Sequence, residues 1–122
     1  MKENFGVGVD IESIDRFRGL ELPKNCAFLE QVFTKRELEY CFSKADSAQY
    51  LAARFAGKEA VVKALSSMGE RMLEFKKVEI TNNDTGVPIV RLGSRSLGEY
   101  VVKISLAHCR DNAIAFAIAR KT

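Results

Sequence analysis

A single long helix is predicted over Gln49-Tyr-Leu-Ala-Ala-Arg-Phe-Ala-Gly-Lys-Glu-Ala-Val-Val-Lys-Ala-Leu65, a stretch with five alanines and no proline. One apolar stripe at helical spacing consists of Leu51, Phe55, Val62 and Leu65. A second stripe, of small residues, consists of Ala52, Ala56, Ala60 and Ala64. A helix that is apolar on two sides is typical of a protein core. It nevertheless carries four charged residues: Arg54, Lys58, Glu59 and Lys63. Because a buried charge is costly unless it is paired or binds an ion, we expect chemistry on this helix.

Glu59 and Lys63 admit two interpretations. Their i,i+4 spacing in this order is common on exposed helix faces, where such a pair stabilises the helix by roughly 0.2–0.5 kcal/mol. The pair equally suits a functional site, because Glu59 lies where the two stripes meet. The helix alone does not decide between them.

A strand is predicted over residues 4–11, where bulky apolar residues alternate with small or acidic ones. The apolar set is Phe5, Val7, Val9 and Ile11. Gly6 and Gly8 lie on the other face, where they permit a helix or a ligand to approach closely, and Asp10 is placed on that face at the end of the strand. An Asp in this position is commonly the cap of the next helix. The run is a poor dinucleotide-binding fingerprint, because the third glycine and a following βαβ unit are missing.

Length and composition indicate one globular domain, residues 1–122. The chain has 47% hydrophobic and 29% charged residues, and its net charge of +3 is too small to indicate a nucleic-acid partner. The apolar runs are too short for a membrane span, and the segment Met1–Phe5 lacks the apolar character of a signal peptide, so no membrane association and a cytoplasmic location are expected. The three scattered cysteines indicate neither a disulfide framework nor a zinc site.

The remaining pattern predicts helices in the first half and antiparallel strands in the second, an α+β fold. A short helix is expected over Ile11–Gly19, a helical turn or two over Ala27–Val32, and a helix from the capping box Thr34–Glu37 through about Phe42. Two hairpins follow. The first joins 77–81 to 87–92 through turn-forming residues, and the second joins Tyr100–His108 to Asn112–Ala119.

Four motifs in this order give the chain a family resemblance. They are Asp10 after a Gly-x-Gly strand, Arg54-Phe-Ala-Gly-Lys-Glu-Ala-x-x-Lys63, Asn83-Asp-Thr-Gly-x-Pro88 and Ser105-x-Ala-His108. Together they resemble holo-[acyl carrier protein] synthase, the short type of 4′-phosphopantetheinyl transferase, from about Gly6 to Ala117. The Lys-Glu-Ala-x-x-Lys segment with its preceding aromatic residue is the most specific part, and the Gly-x-Pro turn is weak alone.

The resemblance implies an activity, a cofactor and an assembly. The activity is transfer of the phosphopantetheine arm of coenzyme A to a serine of an apo acyl carrier protein, with release of adenosine 3′,5′-bisphosphate, as in fatty acid biosynthesis. Members use Mg²⁺, which Mn²⁺ can often replace. They commonly form homotrimers in which the antiparallel sheets meet around the threefold axis and the active sites lie between subunits.

The same resemblance assigns roles to residues. Asp10 and Glu59 match the metal ligands, and Lys63 matches a residue that offsets charge on the leaving group. Two carboxylates with substrate phosphate and water are a common set of magnesium ligands. The positions matched to coenzyme A binding are Arg54, Lys58, Gly86, Pro88 and His108. The proton of the carrier serine is taken by Glu59 or by a metal-bound water, and the sequence does not choose.

His108, the only histidine, is matched to a binding or catalytic position, although a lone histidine at a strand end is commonly structural. Many members of the family have Ser or Thr where this chain has Ala107, which removes one hydroxyl from that neighbourhood. A nucleophilic pair of Cys109 with His108 is disfavoured, because adjacent strand residues point to opposite faces.

Arg16 and Arg18 are matched to the surface that binds the acidic recognition helix of the carrier protein. Without the resemblance, these two arginines would be interpreted as part of a helix face exposed to solvent. Charges of this kind mainly set the encounter rate and the choice of partner.

Two other functions compete with the transferase. A catalytically silent coenzyme A-binding or nucleotide-binding subunit of the same fold is disfavoured, because Asp10, Glu59 and Lys63 are all present. A metal-dependent phosphohydrolase would break down coenzyme A without any carrier protein.

Overall fold

The computed structural model describes residues 4–71 and 73–122. A long central helix, α3 (Ser47–Ser67), follows two short ones, α1 (Cys26–Val32) and α2 (Lys35–Phe42). The strands are β1 (Phe5–Ser13), β2 (Val78–Asn82), β3 (Pro88–Leu92), β4 (Tyr100–His108) and β5 (Asn112–Lys121). The predicted α+β fold, with helices mainly in the first half, is confirmed.

Strands β1, β5 and β4 form an antiparallel sheet in that order, and α3 packs across one face of it. The helix approaches β1 closely because the facing residues there are Gly6 and Gly8. A Cβ on Gly8 would overlap the carbonyl oxygen of Ala60 and lie 2.8 Å from the backbone nitrogen of Ala64. The alanine stripe of α3 therefore packs directly on the backbone of β1, as the two glycines predicted.

The second sheet is the hairpin of β2 and β3, which packs beside β4 and against α3. Gly57 of α3 makes room for it, since a Cβ there would lie 2.5 Å from the Cδ1 of Ile80 and 3.0 Å from the Cδ1 of Ile104. The predicted turn is present, with Gly86 at a positive φ of 85°. Both predicted hairpins are confirmed, and β5 runs two residues beyond the predicted end, to Lys121.

The predicted helix over Ile11–Gly19 is wrong. Strand β1 continues to Ser13, where it still pairs with Asn112 of β5, and only a 3₁₀ turn over Ile14–Phe17 follows. Continued pairing with β5 satisfies backbone groups that a helix would otherwise have to satisfy. Asp10 consequently lies within the strand and does not cap a helix.

Helix α2 begins at the predicted capping box. The Thr34 hydroxyl accepts from the Glu37 backbone N–H, and the Glu37 side chain accepts from the Thr34 N–H at 2.8 Å. The cysteines are free thiols, in agreement with their scattered spacing. Across 4–71 and 73–122, the helices lack the combined length and hydrophobicity of a membrane span.

The sheet face turned away from α3 is apolar and exposed. Phe5 and Ile11 of β1 are 57% and 61% exposed, and Phe116 of β5 is 44% exposed. The strand register places Val9 opposite Phe116, so these side chains lie side by side. We call this the outer sheet face; its members are Phe5, Val7, Val9, Ile11, Ile114, Phe116 and Ile118. Contiguous exposed apolar surface of this kind marks an interaction site.

Candidate active site

Asp10 lies on the face of β1 that α3 covers, with its side chain 13% exposed. Lys63 of α3 reaches it: its Nζ donates to the carbonyl oxygen of Val9 at 3.0 Å and to Oδ1 of Asp10 at 3.4 Å. Glu59, one helical turn before Lys63, is partly buried. The fold therefore brings together the three residues that the sequence placed at the metal and the leaving group.

Glu12 also lies here, and the sequence analysis missed it. It follows Asp10 by two positions on β1, so it points to the same face, and its side chain is only 10% exposed. The alternation through Gly6, Gly8 and Asp10 was the available signal, but the predicted strand ended at Ile11, two residues before the observed end at Ser13. We call Asp10, Glu59 and Lys63 the acidic site, which Glu12 borders.

The charge of Asp10 disfavours ionisation of the two glutamates near it, Glu59 and Glu12. Burial, reinforced by the charge of Asp10, raises the pKa of Glu59, although the Lys63 ammonium opposes this. Burial and the neighbouring Asp10 raise the pKa of Glu12 to about 7. Burial favours the protonated form of these carboxyl groups, whereas a bound cation would favour the carboxylate form and so displace the protons.

The acidic site fits a magnesium ion. The Oδ2 atom of Asp10 is buried and accepts from no amine, amide or hydroxyl group among the described residues, so it needs either a proton shared with Glu12 or a cation. Carboxylate oxygens are the ligands that Mg²⁺ prefers, and one or two of them normally suffice when substrate phosphate and water complete the octahedron. Over 4–71 and 73–122, no three His, Cys, Asp or Glu side chains form a preformed metal cage. The chemistry therefore fits an ion shared with a substrate.

Lys58 does not belong to this site, which corrects its assignment to coenzyme A. Its side chain is fully buried and forms an ion pair with Glu37 at 2.7 Å. Its ammonium also donates to the carbonyl oxygens of Phe75, at 2.9 Å, and Val78. Burial lowers the pKa of Lys58, and the Glu37 carboxylate opposes that shift. With three acceptors already bound and no exposed surface, this ammonium has no donor left for a phosphate.

Arg54 lies on the same flank of α3 as Lys58 and is buried, but its hydrogen bonding is incomplete. Its Nη2 donates to Oδ1 of Asn82, at the start of the β2–β3 turn, while its Nε has no partner among the described residues. The guanidinium lies over the Tyr40 ring, 4.2 Å from the centroid. Asn82 in turn donates to the carbonyl oxygen of Gly86 at 3.0 Å. Arg54 is thus tied to the turn that carries Gly86 and Pro88.

His108 lies at the opposite edge of the main sheet from the acidic site. It pairs with Ala113 of β5, which pairs in turn with Glu12 of β1, so His108 and Glu12 share a face with one strand between them. That spacing separates their backbones by roughly 10 Å. The predicted site residues therefore form two groups on opposite flanks of α3. The acidic site, on the β1 side, is one. The second, which we call the hairpin group, consists of Arg54 with the Gly86–Pro88 turn to which it is tied, and of His108, which lies on β4 at the edge of the main sheet away from β1.

Arg16 adjoins the acidic site. Its Nη1 donates to Oε1 of Glu12 at 2.7 Å, and its guanidinium lies 5.0 Å from the centroid of the Phe55 ring. Arg18 points elsewhere, donating from Nε to Oδ1 of Asp15 at 2.6 Å. Both arginine side chains remain about half exposed, in keeping with a docking surface.

A cleft of about 790 Å³ opens beside Phe55, between α1 and the segment before β2. Its apolar lining includes Phe28, Val32, Leu73 and Phe75. The carboxylates of the acidic site do not line this cleft. The acidic site is therefore identified from the chemistry of its side chains and not from a pocket. Phe55, which lines the cleft, lies against Arg16, and Arg16 in turn donates to Glu12 beside the acidic site.

Comparison with known proteins identifies the family. Residues 6–117 match the model of the 4′-phosphopantetheinyl transferase superfamily. A holo-[acyl-carrier-protein] synthase of Clostridium acetobutylicum is 44% identical over 119 residues, covering 93% of this chain and 94% of the relative. One from Chlamydia muridarum is 44% identical over 121 residues, covering 97% and 96%.

Solved structures agree with the sequence relatives. An ACPS–CoA complex from Chronobacterium ammoniagenes superposes with a TM-score of 0.80 at 26% identity, covering 98% of this chain and 99% of that one. The resemblance inferred from the four motifs is confirmed over nearly the whole chain. The match to the family model and the identity to the synthases place this chain in the 4′-phosphopantetheinyl transferase superfamily, among relatives that are holo-[acyl-carrier-protein] synthases.

Proposed function

We propose that this enzyme transfers the 4′-phosphopantetheine group of coenzyme A to a serine of an apo acyl carrier protein, releasing adenosine 3′,5′-bisphosphate. Mg²⁺ is the proposed cofactor, and Mn²⁺ is expected to replace it. The observation that carries the proposal is the acidic site, where the buried carboxylate of Asp10 meets Lys63 beside the Glu59 carboxyl group. Its relatives' names, and the coenzyme A bound in one of their structures, support the choice of substrates.

The reaction forms a bond between the serine oxygen and the β-phosphorus of coenzyme A, and breaks the bond from that phosphorus to the bridging pyrophosphate oxygen. The serine proton leaves to Glu59 or to solvent, and the leaving group departs as the bisphosphate. Asp10 and Glu59 would hold the Mg²⁺ ion, which supplies charge neutralisation at the pyrophosphate when bound. Lys63 is placed to offset the negative charge that develops on the leaving oxygen. Such positioned charges are the main source of rate enhancement in phosphoryl transfer.

The active site is proposed to form between two copies of the chain. The hairpin group suits the nucleotide half of coenzyme A, because the guanidinium of Arg54, whose Nε has no partner among the described residues, is tied through Asn82 to the exposed turn at Gly86. Yet this group and the acidic site lie on opposite flanks of α3. A neighbouring copy would bring its hairpin group to the acidic site of the first.

The outer sheet face supports a homotrimer. Its exposed apolar side chains form one continuous patch over both β1 and β5, whereas the exposed apolar residues of a monomer are usually scattered singly. A contact between two different patches closes into a ring when the rotation between copies permits it. Three sheets that meet face to face around an axis would cover this surface and bring each hairpin group to a neighbour.

Arg16 and Arg18 are proposed to bind the acidic face of the carrier protein, next to the cleft beside Phe55. Mild positive charge at a rim accelerates association with an acidic partner. The proposed setting is fatty acid biosynthesis in the cytoplasm.

Intact-mass spectrometry of the carrier tests the proposal. Purified enzyme, coenzyme A, Mg²⁺ and an apo acyl carrier protein are expected to give a carrier heavier by one phosphopantetheine group. Chelator and Glu59→Gln should abolish the gain. Glu39→Gln, a matched control at an exposed glutamate of α2, should not.

Two outcomes would contradict the transferase. Unmodified carriers of several types, with coenzyme A still bound to the protein, would favour a silent binding subunit. Breakdown of coenzyme A without any carrier would favour a phosphohydrolase.

A further inference from the structure

Arg16, in the 3₁₀ turn, and Arg18, directly after it, are held in different ways. Arg16 donates to Glu12, a carboxylate that is only 10% exposed and is fixed on β1. Arg18 donates to Asp15, which is 76% exposed and lies on the same short turn. Its second acidic neighbour, Asp46, is 3.8 Å away and half exposed. An exposed pair of this kind contributes little and is readily exchanged for water.

Arg16 is restrained on two sides. Besides the ion pair with Glu12, its guanidinium lies over the ring of Phe55 on α3, at 5.0 Å from the centroid, and 5.6 Å from the centroid of Phe17. Phe17 is fully buried and Phe55 nearly so, so both rings are fixed parts of the core. The Arg16 side chain is nevertheless 55% exposed. The result is a charge that is accessible to a partner while its orientation is set by the core.

We propose that Glu12 is a positioning residue for carrier recognition, which fixes the Arg16 guanidinium against Phe55 and presents it, already ordered, to an acidic face of the carrier protein. This inference rests on the proposed function. An arginine that is ordered before binding loses less side-chain freedom when it pairs, so a partner binds it more tightly than a mobile one. Glu12 acts through Arg16 and does not touch the carrier or the reacting atoms.

The alternative role for Glu12 is that of a third metal ligand, because it lies two positions from Asp10 on the same face of β1. The two roles make different demands. A ligand should set the Mg²⁺ concentration needed for half-maximal rate, whereas a positioning residue for Arg16 should set the Michaelis constant for the carrier.

Steady-state kinetics of Glu12→Ala separates the two roles. Asp15→Ala is the matched control, because this substitution also removes the carboxylate partner of a neighbouring arginine, Arg18. We expect Glu12→Ala to raise the KM for the carrier about tenfold, a loss typical of one ordered charge contact. The KM for coenzyme A, the Mg²⁺ dependence and kcat should stay within about twofold. Asp15→Ala should leave every parameter within about twofold.

A double-mutant cycle adds a readout that a merely structural role would not move. Arg16→Ala alone should raise the carrier KM at least as much as Glu12→Ala does, and the double variant should be no worse than Arg16→Ala. Glu12→Gln keeps an acceptor oxygen but loses the charge, so it should give an intermediate increase of about threefold. If Glu12→Ala does not fold, Glu12→Gln with and without Arg16→Ala decides the question.

Three results would overturn the inference while wild-type transfer remains intact. They are an equal effect in Asp15→Ala, a full further increase when Glu12→Ala is added to Arg16→Ala, or a raised Mg²⁺ requirement with an unchanged carrier KM. Absence of transfer by the wild-type protein to any carrier would instead overturn the proposed function, and this inference with it.

Discussion

Replacing Lys58 with methionine tests whether this lysine supports the fold or binds substrate. The ammonium of Lys58 forms an ion pair with Glu37 at 2.7 Å and satisfies the carbonyl oxygens of Phe75 and Val78. Methionine fills a similar volume but leaves the Glu37 carboxylate buried without its counter-charge. The two carbonyl groups lose a donor at the same time.

The expected cost is large relative to the stability of a small protein. Removing one partner of a buried ion pair typically costs about 3–5 kcal/mol. A domain of this size has a free energy of unfolding of about 5–15 kcal/mol in total. The melting temperature should therefore fall by about 10–20 °C.

Thermal and guanidinium unfolding measure this loss, with Lys63→Met as the matched control on the same helix. Lys63 is 52% exposed, so its replacement should change the free energy of unfolding by less than about 1 kcal/mol while abolishing transfer. Lys58→Met, assayed well below its melting point, should keep its KM for coenzyme A within about twofold. Adding Glu37→Gln to Lys58→Met should recover about 1–2 kcal/mol, because the unpaired charge is then removed.

A raised KM for coenzyme A in Lys58→Met, with an unchanged unfolding midpoint, would refute this reasoning. It would return Lys58 to the substrate-binding residues.

The other predictions concern the helix–strand contact, the metal, pH and assembly. Gly8→Ala should destabilise the protein by about 1–3 kcal/mol or more in denaturant unfolding, because its Cβ meets the backbone of α3, and a wild-type midpoint would contradict the close contact. Asp10→Asn should raise the Mg²⁺ concentration for half-maximal transfer at least tenfold, and an unchanged requirement would exclude Asp10 as a ligand. The pKa of Glu12 is raised to about 7 by burial and Asp10, so the folded state retains a proton that the unfolded chain loses near 4.5. In denaturant unfolding, the free energy of unfolding of the wild type relative to Glu12→Gln should therefore fall as pH rises from about 4.5 to 7, and a rise over that range would contradict it. Val9→Asp, on the outer sheet face, should reduce the mass measured by light scattering to that of one chain, whereas an unchanged oligomer would place the interface elsewhere.

Local signals in the sequence were sufficient for most elements. The Thr34–Glu37 capping box predicted the start of α2 because both halves of the motif lie within one turn. Gly6 and Gly8 predicted a close approach because only residues without a Cβ leave that space. The acidic site was found in part for the same reason, since Asp10 shares the glycine face.

Errors arose where a long-range contact decides the outcome. Strand β1 extends to Ser13 because it pairs with Asn112, a partner that no local pattern indicates. Lys58 is structural because Glu37 lies across the core from it, although both charges are ordinary within their own helices. The separation of His108 from the acidic site likewise follows from sheet order, with β5 inserted between β1 and β4.

Mixing two inactive variants tests most directly whether transfer takes place at a site shared between copies. Glu59→Gln leaves the hairpin group intact, and His108→Ala leaves the acidic site intact. If each site combines the acidic site of one copy with the hairpin group of its neighbour, random co-assembly restores about one quarter of the sites. We therefore expect transfer to the carrier, followed by intact mass at limiting coenzyme A, to be lost in each variant alone and to return to about one quarter of the wild-type rate after mixed refolding. Mixed assemblies that remain as inactive as their parents would contradict the shared site.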